Sequence, residues 1–314
     1  MRSMYQKTGA LLWTKIFALF LAFSLMGNNS IAQSTNSQSQ QLDISCFWKK
    51  SGESLSHVED KKGDLFSKLG HHGPAIENLC LAYRVYFNES GSVDILSKFQ
   101  PRLELKKSKW YPKKNNCEED YGTDNYDVGN SVGLGGINLY VPETGIQKLG
   151  PVLKRSAEIF LTDTSATLIM TSYGIPYKDL IIDIEFTLST VADGRHANVT
   201  VCELNGQNVQ FATGLSMHAK LDYVKGENYM LTWGDFTSHA RYADFDIGAG
   251  LLYNPENFEG ELSMKNQQLL ISKPCSSLHY VISSCNDLEK SKLNSLLSFE
   301  NYLISLSEKL NHKK

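Results

Sequence analysis

The chain has 314 residues, 41% hydrophobic and 21% charged, with 8 prolines and a net charge of −3. This is ordinary globular composition, long enough for one large domain or two small ones. So mild an acidity gives no broad field for nucleic acid or anionic lipid, and neither is expected as a partner.

The first residues read as a targeting segment. "MRSMYQKTGALLWTK" carries Arg2, Lys7 and Lys15 and no acid, and the apolar run "IFALFLAFSLM" follows from Ile16 to Met26. Ser30 and Ala32 then sit three and one residues before a cut after Ala32. We expect a signal peptide over residues 1–32 and a secreted or periplasmic product. The run is shorter than the roughly 20 apolar residues of a membrane span, so no membrane association is expected after cleavage. Cleavage leaves 314 − 32 = 282 residues, with 28 basic against 34 acidic residues, a charge of 28 − 34 = −6. The polar stretch "QSTNSQSQQ" reads as part of a flexible leader, residues 33–42, ahead of a single domain at 43–314. No Pro/Gly-rich linker divides that domain.

Cysteines stand at 46, 80, 117, 202, 275 and 285. An exported chain permits disulfides, and Cys275 and Cys285, flanking a short segment, are the first pair expected. Cys80 and Cys202 read as buried thiols within strands. The spacing fits no zinc motif.

From Asp43 onward most segments alternate. "AYRVYF", "IFLTDTSATLIMTSYG", "LIIDIEFTLSTV", "ANVTVCEL", "VQFATGLSMHA", "NYMLTWG", "FDIGAGLLYNP" and "QQLLISKP" read as strands. "DGRH", "LNGQN" and "VKGEN" supply turns between them. Only residues 287–310 have helical spacing, through Leu293, Leu296, Leu297, Leu303, Leu306 and Leu310. The expected fold is all-β, a large antiparallel β-sandwich with a C-terminal helix. Two broad sheets of long strands leave a concave face, a shape suited to an extended polymer such as a sugar chain.

The chemistry concentrates in "LGHHGPAIENLCLAYRVYFN", 69–88. If "LCLAYRVYF" is one strand, Leu79, Leu81, Tyr83, Val85 and Phe87 form an apolar face, with Cys80, Ala82, Arg84 and Tyr86 opposite. Parity then sets Glu77 on the apolar face unless a bulge at Pro74 or Asn78 re-aims it. Arg84 can hold a carboxylate through its planar fork; the alternative is an ion pair with a structural acid. His71 and His72, at the sheet rim before a Gly-Pro turn, are candidates for substrate binding and for acid–base work near neutral pH.

In "YGTDNYDVGNSVGLGGINLY", 121–140, the glycines match no nucleotide loop. Tyr121 and Asp124 are candidates for sugar hydroxyls and faces. Trp110 and Tyr111, in "WYPKK", offer a stacking platform beside cations. His218 and Lys220 close a strand, and His239 and Arg241 lie in a loop. His218 is the candidate partner of His72 in proton transfer. No cofactor is expected; a divalent-metal site of His71, His72, Glu77 and His218 is the alternative. No serine-hydrolase or zincin motif occurs.

"GHHGPAIEN…AYRVYF", "LELKKSKWYP", "YGTDNYDVGNSVGLGGINLY", "GIPYKDLIIDI", "VQFATGLSMHAK", "YMLTWGD", "IGAGLLYNPENF" and "LLISKP" occur in an order that resembles the bacterial family called domain of unknown function 4861. The resemblance covers about His71 to Lys273 and continues into the C-terminal helix, leaving out the leader and the Cys46 region. It implies a secreted or periplasmic protein of polysaccharide breakdown, with relatives linked to unsaturated-uronyl hydrolases in pectin-type systems. It also implies a fold similar to the galactose-mutarotase-like β-supersandwich. By motif it points to His72, Glu77, Arg84, Asp124 and His218.

The expected function is proton-transfer chemistry, of β-elimination or epimerisation type, on uronate-containing oligo- or polysaccharides. His72, Glu77 and His218 are the catalytic candidates. His71, Arg84, Trp110, Tyr111, Tyr121, Asp124, Lys220 and Arg241 would hold substrate. Hydrolysis ranks lower, because His and Arg outnumber paired acids. The alternatives are a non-catalytic glycan-binding protein and a structural envelope protein.

Overall fold

The computed structural model describes residues 41–107, 121–218, 220–236 and 245–311. The expected signal peptide, and all but the last two residues of the expected leader, lie outside them. So do Trp110, Tyr111, Cys117, His239 and Arg241. No helix among the described residues is long and apolar enough to cross a membrane.

The strands are β1 Leu42–Ser45, β2 His57–Asp60, β3 Ala75–Asn78, β4 Ala82–Val85, β5 Val93–Ile95, β6 Ile137–Val141, β7 Gly145–Gln147, β8 Lys154–Leu161 and β9 Ser165–Tyr177. They continue as β10 Leu180–Val191, β11 Ala197–Glu203, β12 Gln210–Ser216, β13 Asp222–Lys225, β14 Tyr229–Gly234, β15 Ile247–Leu252, β16 Phe258–Met264, β17 Gln267–Ser272 and β18 Ser277–Asn286. One helix, α1 Leu296–Asn311, follows.

Hydrogen bonding sorts the strands into three sheets: β1-β3-β4-β5, then β13-β14-β15-β18-β11-β10-β9-β8-β2, then β16-β17-β12-β6-β7. The alternating patterns dictate this. In β10, Ile182, Ile184, Phe186 and Leu188 point inward and are buried, while the residues between them are half-exposed; period 2 places one set per face. One apolar core draws on all three sheets, from Ile76 and Tyr83 through Leu139 and Phe211 to Leu168, Val199 and Ile282. The expected all-β sandwich with a terminal helix is what forms.

On the far face of the nine-stranded sheet, Tyr229, Leu231, Trp233, Leu252 and Val281 meet Phe299, Leu303 and Leu306 of α1. Burying each large helix side chain contributes about 1.5–3 kcal/mol. Gly250 is required here: a Cβ would stand 2.6 Å from a Leu303 methyl.

Several expectations need correction. The chain enters its first strand at Leu42, one residue inside the expected leader. "IFLTDTSATLIMTSYG" is two strands, because Thr162 Oγ1 accepts hydrogen bonds from Thr164 and Ser165 N–H and closes a turn. The helix begins at Leu296 rather than residue 287. Glu289 is drawn aside into an ion pair with Arg195, and Ser295 Oγ accepts from Ser298 N–H (3.3 Å), a cap at the helix start. Cys275 and Cys285 are both free thiols. They lie before and at the end of one extended strand, and the rise from Ser277 to Cys285 alone is roughly 26 Å. Cys80 and Cys202 are half-buried rather than core thiols.

Candidate functional site

The stretch 75–85 is a hairpin, not one strand. Asn78 Oδ1 accepts from the Cys80 and Leu81 N–H groups, both at 2.8 Å, and so builds the turn. Pairing then sets Ala75 opposite Arg84 and Glu77 opposite Ala82. The next strands add Asp43 beside Glu77 and Asp94 beside Arg84. A turn, not a bulge, therefore moves Glu77 off the apolar face. Ile76, Tyr83 and Val85 face the core. Asp43, Glu77, Arg84 and Asp94 share the other face, around a small apolar patch of Ala75, Ala82, Leu96 and Leu105.

Loops close over that charged face. Glu77 is fully buried, paired with Lys98 and accepting from the Glu104 and Leu105 N–H groups at 2.8–2.9 Å. Burial pushes its pKa up, against the pull of Lys98. Both its oxygens are engaged and none of it reaches solvent, so its place in the fold is that of an anchor for the covering loop. The strand-like contact of that loop with residues 121–124 needs Gly122, whose Cβ would stand 1.7 Å from the Ser97 carbonyl oxygen. Tyr121 is buried with the Arg102 guanidinium 3.8 Å from its ring centre.

Arg84 lies at the centre. Its Nε and Nη2 donate to Asp94 Oδ2 at 2.9 and 2.5 Å, and Nη2 also donates to Asp124 Oδ2 at 2.8 Å. Tyr86 O–H donates to the same Asp94 oxygen at 2.6 Å. Asp94 Oδ1 is shut from solvent and has no hydrogen-bond partner among the described residues. Burial raises Asp94 to about 7 despite the neighbouring Arg84. Burial, reinforced by Asp94, holds the Tyr86 phenol well above its ordinary range, so it stays protonated.

The two histidines part ways. His71 and His72 have φ of 55° and 62°, the left-handed region that non-glycine residues rarely adopt. Such conformations cost on the order of 1–3 kcal/mol each and persist where surrounding structure imposes them. Phe87 N–H, donating to the His72 carbonyl at 3.1 Å, is part of that frame. The twist sends His71 inward, edge-on to Phe47 and only 1% exposed. It sends His72 the other way, stacked on Phe66 at 4.1 Å and edge-on to Tyr86 at 6.2 Å. His72 Nδ1 lies 2.9 Å from the Phe66 carbonyl, which can only accept, so Nδ1 carries the proton and Nε2 the lone pair. Burial first, then Arg84, lowers the pKa of His72; the same causes take His71 to about 3. Both rings are neutral at pH 7.

His218 is held elsewhere. Its Nε2–H donates to the Asp127 carbonyl at 2.9 Å and its ring meets Phe236 edge-on. None of its hydrogen bonds or ring contacts goes to the Arg84 cluster. Lys220 is exposed in the turn before β13. Among the described residues no group of three or more His, Cys, Asp or Glu could hold a metal ion, and Glu77 of the alternative metal set is committed to Lys98.

The constellation thus has a reachable layer of half-buried His72, Tyr86 and Asp124, backed by buried Arg84, Asp94 and His71. A family model described as domain of unknown function (DUF4861) matches residues 27–314. The chain belongs to this family. The DUF4861 match spans all the residues just described, and it takes in the Cys46 region that the resemblance in the sequence left out. None of the curated proteins matches the chain. Sequence reasoning missed Asp94. The one signal was its position in "SVDILS", an acid between two core residues of a short alternating strand.

Proposed function

We propose that the protein is an exported carbohydrate-active enzyme that acts on uronate-containing, pectin-like chains by proton transfer, of β-elimination or epimerisation type. The observation that carries this reading is the left-handed His71–His72 backbone. It aims a neutral imidazole, its tautomer fixed by Phe66, beside a protonated phenol and a buried carboxyl that titrates near neutrality. A base must be unprotonated and an acid protonated at the working pH; His72 and Tyr86 meet those conditions. Arg84 fixes Asp94 and Asp124 and keeps the group oriented. His218 positions the 121–128 segment through Asp127. Export rests on the N-terminal pattern of basic residues, apolar run and small residues. A concave, galactose-mutarotase-like supersandwich is part of the same proposal.

The test is ultraviolet absorbance, because the conjugated double bond of an unsaturated uronate absorbs and the saturated sugar does not. On uronate polymers the wild type should raise the absorbance, or, for an epimerase, change the sugar stereochemistry seen by proton NMR. His72→Ala should lower the rate at least a hundredfold. Full turnover in that variant overturns the assignment. A second reading, glycan binding without catalysis, draws on the saturation of Arg84 and Glu77 by their own partners. Affinity for these polymers with neither signal would establish it.

A further inference from the structure

Of the four arginines among the described residues, three are ion-paired: Arg84 with Asp94 and Asp124, Arg102 with Glu104, and Arg195 with Glu289. Arg155 is not. It is 1% exposed, and its partners are neutral: Nε donates to Ser172 Oγ at 2.9 Å, Nη1 to the Gly63 carbonyl and Nη2 to the Leu149 carbonyl. Each terminal nitrogen has a second N–H beyond these bonds. A buried guanidinium with no carboxylate in contact is costly, and burial lowers its pKa to about 10.

This group lines a cavity of about 440 Å³, together with Lys62, Lys148, Phe66 and Tyr86. Two acids, Asp64 and Glu89, also line it. Asp64 Oδ1 is turned back onto Phe66 N–H at 3.0 Å, and Glu89 is paired with Lys148 at 3.6 Å. With three cations and two acids, the lining carries 3 − 2 = +1. The volume is within the range of small-molecule sites. Phe66 and Tyr86, at one wall, are the rings that pack on His72, so the cavity opens beside the proposed reaction centre.

We propose that this cavity is a subsite for a sugar acid, its carboxylate held by Arg155 with Lys62 and Lys148 and its ring against Phe66 and Tyr86. The proposal rests on the carbohydrate reading above and moves the carboxylate from the residue that the sequence pattern suggested. The substrate carboxylate goes to Arg155, because Arg84 already holds two.

Titration calorimetry on the full mature chain tests it, with galacturonate or glucuronate, the matching neutral sugars, and galactose 6-sulfate as probes. A uronate should bind at least tenfold tighter than its neutral counterpart, and Arg155→Gln should abolish that preference. The double variant Lys62→Ala/Lys148→Ala alters side chains at the cavity rim, so it carries the test if Arg155→Gln does not fold. It should weaken uronate binding severalfold. Equal affinity for uronate and neutral sugar, unchanged uronate affinity in the foldable variants, or preference for the sulfate each overturns the subsite. Turnover with unchanged affinity in these variants overturns the subsite alone. Uronate preference lost in Arg155→Gln, without turnover by the wild type, supports the subsite while the proton-transfer reading fails.

Discussion

Two sheets of this molecule share one core and cover their other faces in opposite ways. The β14–β15–β18 face takes an amphipathic helix, with Phe299 and Leu303 fully buried against Leu231 and Trp233. The face of β1, β3, β4 and β5 takes loops, and buries Glu77–Lys98 and Arg84–Asp94–Asp124 beneath them. Apolar burial stabilises directly, whereas two charges removed from water often only break even against their mutual attraction. The helix face therefore serves stability. The charged face, with two left-handed histidines at its edge, has costs that stability alone does not explain, and that is where strained functional groups accumulate.

The largest test of this contrast is Arg84→Leu. It strands Asp94 and Asp124 against each other and should cost about 3–5 kcal/mol in denaturant unfolding. Adding Asp94→Asn should recover part of the loss, because the remaining charge is no longer buried opposite nothing. A cost below about 1 kcal/mol for the single variant would show that water already reaches the cluster, and the contrast would collapse.

Phe299→Ala should cost about 3 kcal/mol through the cavity it leaves. Its loss should add to that of Arg84→Leu, since the two faces share no partners. Its turnover per folded molecule should match the wild type.

A smaller effect is a pH slope. Asp94 is raised from 3.8 to about 7, so the folded chain holds a proton there that the unfolded chain releases, and stability falls as pH rises through that window. His71 is lowered from 6.5 to about 3, so its contribution is present above 6.5 and is lost as pH falls. Between about pH 4 and 6.5 the two oppose each other. Asp94→Asn should leave the His71 slope alone, with stability rising by up to about 1.4 kcal/mol per pH unit. The same full slope in the wild type would mean that Asp94 does not take up a proton. The smallest effect is at the rim: Lys106, 67% exposed over Asp43, should cost under about 1 kcal/mol when changed to Ala.

The sequence by itself determined the β class, most of the long strands and the terminal helix. Those depend on local alternation and on leucine spacing, and a buried face imposes its period on any segment that supplies it. It also marked His72, Arg84 and Asp124 as chemistry-bearing. What it could not decide was who faces whom. "ENLCLAY" reads as continuous strand because its turn is built by an asparagine side chain, without glycine or proline. That one turn moves Glu77 onto the face of Arg84. Asp94 is ten residues from Arg84 in the chain and opposite it across the sheet, and Arg155 goes without a paired carboxylate because three separate segments supply neutral partners. Burial and pairing are properties of the assembled sheets, so only the tertiary structure separates the sealed carboxylate, the saturated arginine and the arginine left without an anion.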